Sequence, residues 1–354
     1  MESNFGERFK SARLLSGFSL SDVAEKLSKS VTRQAIYRYE KGEIIPDSKT
    51  LSELAGIFKV SIDFFFNSVG VEIGEIEYRR LKMPAKEEIR IKEQTKNYLS
   101  RYLELEEILG IESGFVNPLK DFPAVSGYED VNQAANQLRE KWKLGDSAIA
   151  NVAGLLEDKH IKVIRLIAGG SFDGLQTFAN TSIPVIAFNQ KLENQKVRLR
   201  FTLLHELGHL LLSFDKSLGK NEVEKLCHQF AGALLLPEEV IFQELGRKRK
   251  RLSVQEIGNV KKQYGISLQA IVMRANVCNI VNDSFKRNFF NEFEQNNWQS
   301  NEPILFEGNE ESGRFEQLIY RALSEELISI SKAASLRNMS LISFKEEMKQ
   351  FNIS

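Results

Sequence analysis

Residues 201–212 read Phe-Thr-Leu-Leu-His-Glu-Leu-Gly-His-Leu-Leu-Leu, an apolar stretch interrupted by two histidines four positions apart and a glutamate beside the first. On a helix, at about 100° per residue, His205 and His209 project from one face one turn apart and can grip a single ion. Glu206 lies about 100° around the helix from His205, within reach of a reacting water without itself binding the ion. Two imidazoles and a carboxylate on so apolar a helix need partners, because burying them unsatisfied is costly. The chain has only four histidines, and three of them, His205, His209 and His228, fall within 24 positions.

A tetrahedral zinc site that does chemistry needs a third protein ligand and one open position. Glu224 is the choice for that ligand, on the following apolar segment 221–237. His228, one turn further, shares its face and is the alternative, either as the ligand itself or as a partner that orients a ligand. Glu222 points roughly the opposite way. Gly208 inside the helix weakens it against alanine, so another backbone, that of the strand before it, is expected to approach there.

The composition sets the limits around this motif. A length of 354 residues suits two or three domains, and 42% hydrophobic with 27% charged residues is enough to bury a core. No apolar run approaches a membrane span, and no signal segment is expected, so a reduced cytoplasm is the default. Cys227 and Cys278 lie 51 positions apart, which excludes a CxxC pair, and Cys227 reads as core. Lys and Arg together equal Asp and Glu, 48 each, which excludes a generally basic nucleic-acid binder but not a local basic surface.

Residues 5–66 carry short amphipathic helical patterns with Ser19 and Thr32 at N-cap positions and Gly42 at the end of the third. The region from about 67 to 125 is charged and mostly helical, an arm poor in Gly and Ser, closed by Pro118 and Pro123. Two β-rich runs, Ile161–Ile167 and Ile183–Phe188, precede the histidine helix. Further helices follow to about residue 350. Arg247–Arg251 is a run of five cations that suits a solvated loop.

Ser19–Leu27 followed by Val31–Gly42 resembles the lambda-repressor-like (XRE) helix-turn-helix. The resemblance implies Arg33, Gln34, Tyr37 and Arg38 as outward, DNA-facing positions and Ile36 as the inward anchor, residue types suited to reading guanine and adenine in the major groove. Between Lys26 and Lys41 five residues are basic and only Glu40 is acidic, and Lys29 is placed to meet phosphate. The turn 28–30 is about two residues longer than is usual for this motif.

The strand Ile183–Phe188, the run from Arg198 through His209, Glu224 six residues before Phe230-Ala231, and the Leu-Leu-Leu-Pro237 ending are together similar to the ImmA/IrrE metallopeptidases. The similarity covers roughly 126–283, including Phe172-Asp173-Gly174. It implies that His205, His209 and Glu224 hold one Zn²⁺ per chain and that Glu206 is the catalytic base. The family commonly has Asn where this chain has His228.

The expected fold is mainly α with a small β-sheet (α+β). It comprises a helix-turn-helix domain at 1–66, a helical arm at 67–125, a minimal zincin-like domain at 126–283 and a helical C-terminal region at 284–354. The expected function is a DNA-binding regulator whose zinc endopeptidase cuts a partner repressor or regulatory protein. A double-stranded operator is its other partner, with a homodimer to read both half-sites. The rival is a non-catalytic transcription factor or antitoxin-like module whose HExxH domain senses a metal, ligand or partner. An extended substrate is expected on the edge of the Ile183–Phe188 strand.

Overall fold

Short helices need their first N–H groups satisfied, and the N-terminal region supplies a side chain at nearly every start. The computed structural model describes residues 5–28, 30–66, 71–74, 77–78, 84–112, 114–169, 172–299 and 302–350. In it α1 spans Phe5–Leu15, α2 Leu20–Lys26, α3 Arg33–Glu40 and α4 Ser48–Phe58. Ser19 and Asp22 form a reciprocal capping box at the start of α2. Thr32 Oγ1 accepts from the Ala35 amide to begin α3, and Asp47 does the same for Thr50 in α4. Phe5, Phe9, Ile36, Leu54, Phe58 and Phe65 fill the core between these helices.

Beyond a short strand, β1 (Glu77–Tyr78), comes a 24-residue helix α5 (Ala85–Ile108). There follow α6 (Tyr128–Lys141), α7 (Val152–Asp158), β2 (Lys162–Leu166), β3 (Gly174–Ala179) and β4 (Ile183–Asn189). Next come α8 (Lys196–Leu211), α9 (Lys220–Leu235), α10 (Glu238–Leu245), α11 (Val254–Tyr264), α12 (Leu268–Val277) and α13 (Asp283–Gln295). The described chain ends with α14 (Arg314–Ser324), α15 (Ile330–Leu336) and α16 (Leu341–Gln350). The fold is α+β, with many helices around one small sheet.

The sheet order is β1-β3-β4-β2, with β4 parallel to β2 and antiparallel to β3. This corrects the expectation that the Ile183–Phe188 strand is an edge open to an extended peptide. It lies inside the sheet with both sides paired. The physical sign is its unbroken apolar run, buried from Pro184 to Asn189, as in a strand covered on both faces. Pro184 is tolerated because the β2 ladder begins one residue later, at Val185. A second correction concerns the arm, part of which is extended. Glu77 and Tyr78 pair with Gln176 and Leu175, and Ile73 bridges to Ala179. The third strand, β3, has no separate signature among the sequence expectations.

The main core gathers α6, α8, α9 and α12 around Leu203, Leu207, Phe230, Leu234 and Ile271, with Phe289 and Phe293 of α13 packed in. Tyr102 and Leu105 of α5 meet Phe315, Leu318, Ile319 and Phe344 of the last helices, so the tail packs against the arm. Arg247–Arg251 forms an exposed loop between α10 and α11. No described helix is long and apolar enough to cross a membrane.

Glu157 of α7 is tied to the approach to α14, accepting from Ser312 Oγ at 2.8 Å and from the Arg314 amide at 3.3 Å. Burial pushes its carboxyl from 4.5 up to about 7. The native carboxyl therefore keeps its proton where the unfolded one has lost it. Its contribution to stability is complete below about pH 4.5 and is lost as pH rises through 7. Glu157→Gln cannot ionise, so its thermal midpoint should gain on the native chain as pH is raised from about 5 to about 8. A constant difference between the two proteins across that range would contradict this.

Candidate metal centre and nucleic-acid interface

The helix α8 can bury His205 because both ring nitrogens meet polar neighbours, Nδ1 the His228 ring and Nε2 His209 and Glu224. His205 is fully buried and Glu206 is 2% exposed. Gly208 lets α9 lie against it, since a Cβ there would stand 3.2 Å from Phe230 Cδ1 and 3.3 Å from Cys227 Sγ. The close neighbours at Gly208 are thus side chains of α9, which corrects the expectation of a strand backbone. A small residue at a helix crossing lets the two helices approach, and here the approach brings Glu224 opposite the histidines. The strand makes its own close approach at Gly174. A Cβ on Gly174 would lie 2.8 Å from Thr202 Cγ2 and 3.3 Å from Glu206 Cγ. Arg198, near the start of α8, pairs with Asp173 at 2.5 Å and fixes the entry to β3 beside the helix.

Three side chains converge. His205 Nε2 lies 3.1 Å from His209 Nε2 and 3.4 Å from Glu224 Oε2, while His209 Nε2 lies 3.4 Å from Glu224 Oε1. Around a tetrahedral zinc with bonds of about 2.0–2.1 Å, neighbouring ligand atoms stand about 3.3 Å apart. The donor set and its spacing fit that ion. These three are the group among the described residues able to hold a metal, and Glu206 stands outside it. The two imidazoles hydrogen-bond Glu224 and hold its carboxyl well below the usual carboxylate range.

His228 is not in the trio. Its Nδ1 lies 2.6 Å from Nδ1 of His205, on the side of the ring away from Glu224, and Phe201 packs edge-on against it. With Nδ1 of His205 engaged by His228, Nε2 is the ring nitrogen turned toward His209 and Glu224. Glu222, as expected, faces elsewhere, accepting from the Gly219 amide at the start of α9.

Sequence reasoning passed over two residues. Gly174 is one: the sequence marks it only within Phe172-Asp173-Gly174 and not by its close approach to Thr202 and Glu206. Arg200 is the other. It lies on α8 with its side chain fully buried and reaches Glu310 at 2.7 Å. A charge inside an apolar helix demands such a partner, although the sequence does not say which one.

At the N-terminal end, α3 presents Arg33, Gln34, Tyr37 and Arg38 to solvent, with Tyr37 46% exposed, and buries Ile36 completely. Arg38 pairs with Glu43 at 3.2 Å while remaining half exposed. Arg13, by contrast, is drawn inward to Glu40 at 2.5 Å and serves the bundle. Lys29 lies outside the described residues.

Comparison with known proteins agrees with both halves. Residues 9–65 match the helix-turn-helix family model, and residues 156–276 match the model described as the IrrE N-terminal-like domain, of the M78 peptidases. The chain therefore joins a helix-turn-helix of the XRE type to an ImmA/IrrE-like (M78) domain. Over 60 residues it is 45% identical to the SPbeta prophage-derived uncharacterized HTH-type transcriptional regulator YonR of Bacillus subtilis (strain 168). That match covers 17% of this chain and 54% of YonR, so the chain spans about half the length of the relative.

Metal content tests the trio directly. Purified protein should carry about one zinc per chain, His205→Ala should lose it, and Glu206→Gln should retain both metal and fold. Elemental analysis showing equal loss from Glu206→Gln would remove the distinction drawn between these residues. Full occupancy in Glu224→Ala with loss in His228→Ala would transfer the third position to His228. For α3, Arg33→Ala or Gln34→Ala should weaken operator binding by about 1–3 kcal/mol and relax preference at one base position. Equal losses on operator and random DNA, measured by titration at fixed salt, would reduce Gln34 to a backbone contact.

Proposed function

We propose that this chain is a cytoplasmic, DNA-binding transcriptional regulator whose zinc-dependent endopeptidase domain cuts a partner repressor or regulatory protein. The observation that carries the reading is the triangle of His205, His209 and Glu224 with Glu206 buried beside it and outside the ligand set. On this reading 1–66 binds the operator as a homodimer, 67–125 is the arm, 126–283 performs the chemistry and 284–354 braces the arm.

His205, His209 and Glu224 would hold zinc, which when bound polarises the scissile carbonyl and acidifies water. Glu206 takes the proton of the attacking water and delivers it to the leaving amine. Its burial beside Gly174 limits the rotamers open to it, which is how a base is held near one proton path. His228 positions His205 through the Nδ1 contact and does not touch the substrate. A peptidase needs an extended stretch of substrate, so the target is a flexible loop or interdomain linker, and one cut is expected.

The test is to incubate the native chain and Glu206→Gln with the repressor encoded beside it and search for a discrete fragment by mass spectrometry. One fragment should form with the native chain and vanish with Glu206→Gln or on chelation. No fragment under any metal or stress condition, with normal regulation in cells by Glu206→Gln, would favour a non-catalytic sensor of metal, ligand or partner.

A further inference from the structure

A cavity of about 650 Å³ lies where the helix-turn-helix, the arm and the sheet meet. Its walls differ in chemistry. Phe18, Phe58 and Val60 of the helix-turn-helix supply an apolar side. Facing them are Arg90, Asn97 and Arg101, spaced along one face of α5, with Arg165 of β2 and Arg337, which follows α15. With Lys59, five cations line the space against one acid, Glu316.

Some of that charge is already paired. Arg165 pairs with Glu193 at 3.1 Å, Arg337 with Glu316 and, at 3.2 Å, Glu347, and Arg90 more loosely with Glu87 at 3.7 Å. Arg101 instead donates to the Leu336 carbonyl at 2.5 Å and the Asn97 carbonyl at 3.3 Å, with no carboxylate within ion-pair distance among the described residues. Burial lowers its pKa to about 10. More telling, three residues that line this space, Arg90, Asn97 and Arg337, each carry a buried nitrogen, Nε, Nδ2 and Nε in turn, that has no acceptor among the described residues. Asn97 is only 8% exposed. Buried donors normally find partners, so a set of orphans around one cationic cavity points to an acceptor that arrives from solution.

We propose that this cavity is an effector site for a small amphipathic anion. Its phosphate or carboxylate lies against Arg90, Asn97 and Arg101, and its apolar or aromatic body lies against Phe18, Phe58 and Val60. The size suits such a ligand, since small-molecule sites run from about 300 to 1,000 Å³. One wall belongs to the DNA-binding module and the other to the arm and sheet. A ligand bridging them alters how the module is held, so ligand and operator affect each other's affinity by the same factor.

The experiment uses the full chain and two fluorescent probes, the anionic 8-anilinonaphthalene-1-sulfonate and the uncharged N-phenyl-1-naphthylamine. The sulfonate should bind saturably at one site, and Arg90→Gln and Arg101→Met should each weaken it about tenfold. Arg90→Gln, at a partly exposed position where folding is safe, should leave the uncharged probe unaffected. Displacement by adenosine monophosphate would identify a nucleotide as the source, and displacement by benzoate an aromatic acid. Saturating sulfonate should change operator affinity about fivefold or more. Sulfonate binding unaltered in both variants would overturn the proposal, as would binding that leaves operator affinity unchanged. Failure of the native chain to bind DNA at all would count against the operator reading instead, because probe binding is read separately.

Discussion

The side chain of Arg200 lies at the centre of this fold with no exposed surface, and several parts of the chain close upon it. From α8 it donates to the carbonyls of Ile149, Ala150, Tyr264 and Gly265 and pairs with Glu310. Glu310 in turn accepts from the Ala153 amide at 2.6 Å, and the Phe306 ring lies 5.1 Å from the guanidinium. A buried charge is stable only when such partners are complete, and removing one side of a buried pair typically costs about 3–5 kcal/mol. The loop before α7, the end of α11 and the segment before α14 are thereby fixed to the helix that carries His205. The site inherits its geometry from that anchoring.

Around α8 the site depends on two places where a side chain is missing. At Gly208 the helix admits Cys227 and Phe230, and α9 comes near enough for Glu224 to face both imidazoles. At Gly174 the sheet comes down on Thr202 and Glu206. One glycine thus lets Glu224 face the two imidazoles and the other confines Glu206. His228 completes the arrangement from behind, holding Nδ1 of His205.

The arm α5 makes the two modules one structure. Ser11 Oγ of α1 donates to Glu93 at 2.7 Å, and Gln94 exchanges two 3.0 Å hydrogen bonds with the backbone of Ile167. Lys162 of β2 pairs with Glu106 in a buried contact. The helix-turn-helix bundle, the sheet beside His205 and Glu224, and the C-terminal helices all rest on one long helix. A rigid helix with contacts on several faces can transmit a change at one of them to the others.

Much of this was legible from residues alone where the signal is local. The caps Ser19 and Thr32 and the i, i+4 pair His205 and His209 follow from helix geometry, which the chain carries in its own spacing, while the outward set Arg33, Gln34, Tyr37 and Arg38 came with the helix-turn-helix resemblance. The match of 9–65 and 156–276 to their families rests on the same local patterns. Strand order is not local. The run 183–188 looked like an edge until β2 and β3 paired on both its sides, and Ile73, Glu77 and Tyr78 read as arm until they paired with β3. Nor could spacing say what touches Gly208, which partner neutralises Arg200, or which face of His205 receives His228. Those depend on where distant segments meet, because a charge or a glycine in a sequence states a need and only tertiary packing supplies the neighbour that meets it.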